Sequence, residues 1–213
     1  MARAYRWMSL GMLLGSLLVL EAARLAHAGE PQDKVRETTD AMLAVLQDPA
    51  LQGPEQVERR RDKMRQAVFQ RFGLEDMAQR ALGTHWTKRT APEKKEFATL
   101  FGELLERSYI NKIESFTSEQ KIRYVKETIE QDGFASVATV VDLKRDTSVD
   151  VEYRLLKRDK QWHVYDIVIE GVSLVNNYRT QFNNIVSQES YEALIKKLKL
   201  KLEQERAGNA TKG

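Results

Sequence analysis

Apolar residues recur along this chain at two different periods, and the switch between them separates a helical first half from a sheet and a helical end. Pro31 to Leu46 carries Val35, Thr39, Met42 and Leu46 at spacings of three and four. With Asp33 and Glu37 near its start, where the helix dipole favours anions, this predicts a packing helix that Asp48-Pro49 ends. Gly53-Pro54 opens a second helix running to Phe72, with Val57, Met64, Val68 and Phe72 inward and Gly73 as its C-cap. A shorter helical segment follows at Leu74, Met77, Ala78 and Ala81. Thr90-Ala-Pro-Glu93 is a capping box with Pro in the first turn, so another helix begins there. From Phe97 through Leu100, Phe101, Leu104, Leu105, Ser108, Tyr109 and Ile113 to Phe116 its apolar stripe is unbroken, and a stripe that wide must touch more than one neighbour.

After that the period becomes two. Lys121 to Gln131, Phe134 to Lys144, Val149 to Lys157 and Gln161 to Ile169 are of strand length, joined by Asp132-Gly133, Arg145-Asp146-Thr147-Ser148 and Arg158-Asp159-Lys160. Short polar connections between alternating segments predict consecutive hairpins, hence a four-stranded antiparallel meander. Ala135, Val137, Thr139, Val141 and Leu143 share one face, as do Val149, Val151, Tyr153 and Leu155, with Asp150, Glu152 and Arg154 opposite. In the fourth strand Trp162, Val164, Asp166 and Val168 alternate with His163, Tyr165, Ile167 and Ile169, so both faces are apolar and both are expected to be covered. At Gly171 the alternation stops, and Val172, Val175, Tyr178, Phe182 and Ile185 return to helical spacing. Ser190 to Glu205 gives a last helix, with Tyr191, Leu194, Leu198 and Leu202 on one face and Lys196, Lys197, Lys199 and Lys201 around it. The expected class is α+β: an N-terminal helical half and C-terminal helices packed on a meander sheet.

Composition narrows the setting. The chain has 213 residues, 42% hydrophobic and 31% charged, enough for one domain with a sizeable core. Residues 1–28 are set apart from it: Arg3 and Arg6 precede an apolar run from Trp7 to Leu20, and Ala26-His27-Ala28 is a small-x-small site, the layout of a cleaved secretory signal. The run is shorter than the ~20 residues of a spanning helix. The expected organisation is therefore a signal at 1–28, a single domain at 29–205 and a flexible tail at 206–213. The leader holds Arg3, Arg6 and Arg24 against Glu21, so the formal charge of +3 falls to +1 without it, and the basic balance does not point to nucleic acid. Cysteine is absent, which excludes disulfides and thiolate metal sites. A local basic run, Arg59, Arg60, Arg61, Lys63 and Arg65, reads either as a solvated helix face or as a docking patch for an acidic partner or anionic head groups.

Catalytic chemistry finds little support. The sequence has no HExxH, phosphate loop or GxSxG, and outside the leader only His85 and His163 remain, in different elements. Asp166 and Glu170 could be offered as an acid/base pair, but a carboxylate inside an apolar strand is explained more simply by a hydrogen bond or ion pair that orients the strand-to-helix turn. No catalytic site and no metal site are expected. Apolar surface, by contrast, is in excess. It can be ordinary core, or it can line a cavity with Tyr109, Tyr153 and Tyr178 as polar tips near a mouth; periodicity leaves both open.

Trp162, Val164, Tyr165, Asp166, Glu170, Gly171, Val172 and Ser173, in the pattern W-x-V-Y-D-x-x-x-E-G-V-S, resemble the MlaC family, also called the toluene-tolerance or ABC-transporter auxiliary family. The likeness extends to the Thr90-Ala-Pro-Glu93 helix start, the Phe97-x-x-x-Phe101 to Ser108-Tyr109 helix and Asn177-Tyr178-Arg179-x-x-Phe182. It implies helices and a curved sheet enclosing a hydrophobic cavity for acyl chains, with phospholipid as cargo and no cofactor. Carried over by face, the lining would be Phe101, Leu104, Leu105, Ser108 and Tyr109 from the long helix. The sheet would add Val137, Val141, Val151, Tyr153 and Val164, and the closing segment Val172, Val175 and Tyr178. The resemblance further implies a monomeric periplasmic carrier that maintains outer-membrane lipid asymmetry. Its partners would be an outer-membrane lipoprotein complex and an inner-membrane ABC transporter with its substrate-binding subunit. Rival readings are a carrier of another lipid such as a hopanoid, a small-molecule enzyme on a cone-like α+β fold, and a periplasmic interaction module with a filled core.

Overall fold

The computed structural model describes residues 30–69, 71–115, 121–143 and 147–210, with side chains as far as 206. The expected leader at 1–28, Phe116 and the connecting residues 144–146 lie outside them. Six α-helices are described: α1 Glu30–Gln47, α2 Val57–Phe69, α3 Leu74–Leu82, α4 Ala91–Glu114, α5 Leu174–Gln188 and α6 Tyr191–Ala210. The strands are β1 Lys121–Ile129, β2 Phe134–Asp142, β3 Ser148–Arg158, β4 Gln161–Ile169 and β5 Val172–Ser173, in the order β1-β2-β3-β4-β5. Each strand pairs antiparallel with the next. The sheet thus has the predicted meander and a short fifth strand, which the helical spacing from Val172 onward concealed.

Local chemistry accounts for the boundaries. At the start of α4 the Thr90 hydroxyl accepts from the Glu93 amide and the Glu93 carboxylate accepts from the Thr90 amide at 2.7 Å, the predicted capping box. Glu170 and Gly171 both take positive φ, 49° and 76°, so Ile169 pairs directly with Val172 across a two-residue turn. That tight hairpin is why Val172 begins a strand, leaving Ser173 as the N-cap of α5. Gly73, expected as a C-cap of α2, instead precedes α3 with φ −77°, its amide bonded to the Val164 carbonyl. Phe72 and its neighbours run beside β4 as an isolated parallel bridge, which ends α2 at Phe69. The last helix continues past the expected Glu205 to Ala210, with Arg206 bonded to Glu103 of α4.

Two apolar clusters form the interior. The first is helical: Met77, Ala78 and Leu82 of α3, Phe97, Phe101 and Leu104 of α4, Phe182 of α5, and Leu194 and Leu202 of α6. Phe101 meets Tyr178 and Phe182 edge-on at 5.3 and 5.6 Å, and Gly102 lets Leu74 come within 3.3 Å of where a Cβ would stand. The second cluster lies on the sheet, where Val35 of α1 meets Ala135, Val137, Leu155, Trp162 and Val164. Phe72 packs against both.

Candidate functional site: a half-buried apolar face on the sheet

Strand register sets which side chains share the inner face. Val137 stands opposite Tyr153, Thr139 opposite Val151 and Val141 opposite Val149, as the alternation predicted. In β4 a register shift inserts one extra residue, because Arg154 pairs with Asp166 and Leu155 with Val164, leaving Tyr165 unpaired. A bulge of this kind reverses the parity of the strand. Trp162 and Val164 therefore share the inner face with Ile167 and Ile169, while Asp166 and Val168 turn to the other side, where Asp166 meets Arg154 and α5. The expected grouping of Trp162, Val164, Asp166 and Val168 on one face is thereby corrected.

Asp166, 4% exposed, ties the sheet to α5. One carboxylate oxygen accepts from the Ser173 hydroxyl at 2.6 Å and lies 3.5 Å from Arg154, while the other accepts from the Val175 amide at 3.1 Å. Glu170 is used elsewhere, accepting from the Asp150 amide at 2.6 Å and fixing the β4–β5 turn to the start of β3. The two carboxylates that resembled an acid/base pair are thus both committed to backbone positioning. His85 bonds Asn183 at 3.0 Å, and burial holds the His163 imidazole below its ordinary pKa, with Arg158 and Arg71 adding to the effect. Among the described residues no cluster of three or more His, Asp and Glu could hold a metal, and no helix is long and apolar enough to cross a membrane.

The thirteen residues expected to line a cavity fall into three groups. Phe101, Leu104, Leu105, Val137, Val141, Val164, Val175 and Tyr178 are buried, and most of them belong to the two clusters. Ser108, Tyr109, Val151 and Tyr153 are half-buried, Tyr109 packing against the helical cluster and Tyr153 against the sheet cluster. The Ser108 and Tyr178 hydroxyls lie 3.3 Å apart, linking α4 to α5. Val172 departs from the expectation: it is 57% exposed at the tip of the β4–β5 hairpin, beside Gly171, which has nothing within 4 Å of its Cβ position. Three half-buried residues join this face unanticipated, Ile167, Ile169 and Phe72. The bulge hid the first two, since only cross-strand pairing reveals a change of parity.

Tyr153 is enclosed deeply enough that burial pushes its phenol well above the usual range, yet it retains accessible surface. Across from the sheet, α4 packs chiefly on α3 and α6. Its C-terminal half reaches α2 through ion pairs, Arg60 and Arg61 to Glu114 at 3.1 and 2.8 Å and Arg65 to Glu106 at 2.6 Å. A separate open groove of about 430 Å3 lies between α4 and α6, lined by Glu93, Glu96, Glu192, Ile195, Lys196 and Leu200 among others. It sits about 18 Å along α4 from Ser108, at 1.5 Å per residue, and its mixed charges suit an apolar chain poorly.

A family model described as MlaC protein matches residues 36–200. The intermembrane phospholipid transport system binding protein MlaC of Haemophilus influenzae is 25% identical over 129 residues, 59% of this chain and 60% of that relative's length. A solved phospholipid-binding protein from Ralstonia solanacearum, in complex with a phospholipid, matches with a TM-score of 0.73 at 25% identity, covering 84% of this chain and 99% of the other. With the family model spanning well over half of its length, the chain belongs to the MlaC family.

Proposed function

We propose that this protein is a phospholipid carrier of the periplasm, exported by the leader at 1–28. It would take lipid between an outer-membrane lipoprotein complex and an inner-membrane ABC transporter with its substrate-binding subunit, and so maintain outer-membrane lipid asymmetry. The observation that carries the proposal is the half-buried apolar face of Val151, Tyr153, Ile167 and Ile169 on the sheet, with Tyr153 and Ile167 packed against the sheet cluster. The phospholipid held by the Ralstonia solanacearum protein on the same fold supports it.

Transfer energetics explain why a carrier is needed. At ~0.8 kcal/mol per CH2, two acyl chains of roughly 30 methylenes cost on the order of 24 kcal/mol to expose to water. Unassisted crossing of an aqueous compartment is negligible at that cost. The carrier must hold the chains about as well as a bilayer does and not much better, or unloading stalls. A head group left in water avoids burying the phosphate charge.

The protein purified under gentle conditions is expected to carry phospholipid, read by mass spectrometry of a solvent extract, and Val151→Glu is expected to lose that lipid while staying folded. A wild-type extract containing no lipid overturns the carrier reading; normal loading of the variant overturns the placement of Val151.

A further inference from the structure

Four large apolar side chains among the described residues stand in solvent: Val125, Ile129, Val172 and Leu200. Exposed apolar residues scattered singly are ordinary, so what separates these four is what each one adjoins. Val125 sits at the bulge of the edge strand β1, and Leu200 borders the outer groove of α6. Ile129 pairs with Ala135, Ala135 with Leu155 and Leu155 with Val164, a row in which every residue after Ile129 is at most 4% exposed. Ile129 therefore abuts closed core. Val172 pairs with Ile169, Ile169 with Val151 and Val151 with Thr139, so the register sets Val172, Ile169 and Val151 side by side on the inner face. That row opens stepwise, from buried Thr139 through half-buried Val151 and Ile169 to exposed Val172.

The tip that carries Val172 is pinned. Glu170 and Gly171 both hold positive φ, the Glu170 amide donates to the Asp150 carbonyl at 3.0 Å, and the Glu170 carboxylate accepts from the Asp150 amide at 2.6 Å. On the other side of Val172, Ser173 caps α5 and donates to the buried Asp166. A turn tied at both ends holds its valine in water. Apart from its two chain neighbours, nothing lies within 4 Å of where a Gly171 Cβ would stand, so the space beside the tip is open.

We propose that Val172 is the lip of the lipid site, a positioning residue over which acyl chains pass on and off the inner face of the sheet, setting how fast lipid exchanges and not how much is held. The inference rests on the carrier reading and goes beyond it by naming where the chains cross. A chain leaving the face exposes its methylenes one after another, and apolar surface that continues to the edge keeps them covered for longer. An ionised side chain at the same place keeps a water shell that the passing chain must displace. Loading and release cross the same barrier, so a charge there slows both and leaves their ratio unchanged.

The test follows phosphatidylglycerol with a pyrene-labelled acyl chain by stopped-flow fluorescence, from labelled vesicles to delipidated protein and from loaded protein to unlabelled vesicles. Val172→Asp is expected to slow both rates by about tenfold while occupancy at equilibrium stays at the wild-type level. Val172→Leu should exchange as fast as wild type, as should Val125→Asp and Leu200→Asp, which place the same charge at the other exposed positions. An exposed side chain should tolerate these changes; if Val172→Asp melts lower than wild type, Val172→Ser carries the same prediction at about threefold. Unchanged rates in the Val172 variants, or equal slowing at Val125 and Leu200, overturn the lip. Lost occupancy at equilibrium makes Val172 part of the bound-state lining and overturns it as well. A wild type that holds co-purified phospholipid but never exchanges it with vesicles overturns the lip alone, whereas a wild type that holds no lipid from either source overturns the carrier reading.

Discussion

At the scale of single residues, Asp166 shows how a buried carboxylate can serve the fold. It joins β4 to the first turn of α5 through the Ser173 hydroxyl and the Val175 amide, and so fixes the helix that presents Tyr178. Asp166→Ala removes three partners at once and is expected to lower the unfolding free energy by about 2–4 kcal/mol in urea, several-fold more than a lost surface ion pair. Ser173→Ala should cost about 1 kcal/mol as a lost N-cap. A stability change below the error of the urea midpoint in Asp166→Ala contradicts this role. The structural role of Asp166 was legible in the sequence, because an acidic residue in an otherwise apolar strand needs a donor nearby. The bulge at Tyr165 was not, because both faces of β4 are covered and its residues stay apolar or paired whichever way they point.

Among the elements, α2 is the one whose sequence and structure differ most in meaning. Its basic run was open to two readings, a solvated face or a docking patch, and the structure supplies a third. Arg60, Arg61 and Arg65 reach across to Glu114 and Glu106, whose side chains are 14% exposed, while Arg59 and Lys63 are exposed. Only Met64 of this helix is buried, so ionic contacts do much of the work of holding α2 to α4. Glu114→Gln weakens two guanidinium contacts together and should speed amide exchange across Val57–Phe69 while leaving α3 and α6 unchanged, the difference from wild type shrinking as salt screens the ion pairs. Unchanged exchange in α2 contradicts the assignment. Sequence could show the charge but not its partners, which lie 41 to 54 residues away along the chain. The α4 capping box and the main meander hairpins were legible for the opposite reason: capping boxes and hairpin turns are set by neighbours within four residues.

Across the whole molecule, the organisation is two apolar clusters that share Phe72, with a half-buried apolar face on the sheet beside the second. Periodicity showed an excess of apolar surface without saying whether it was filled. Burial separates the cases residue by residue: Phe101 and Leu104 are closed into the helical core, while Tyr109, Val151 and Tyr153 are left half-accessible. The groove between α4 and α6 offers a competing location, so the most direct measurement is one that reports position as well as ligand. A phospholipid carrying a photoreactive diazirine near one chain end is loaded into the protein, irradiated, and its adducts mapped by peptide mass spectrometry. The account predicts adducts on the peptides holding Tyr109 of α4 and Val151 to Ile169 of β3 and β4; adducts confined to Ile195 and Leu200 in the outer groove, or none above those on an unrelated protein, would contradict it.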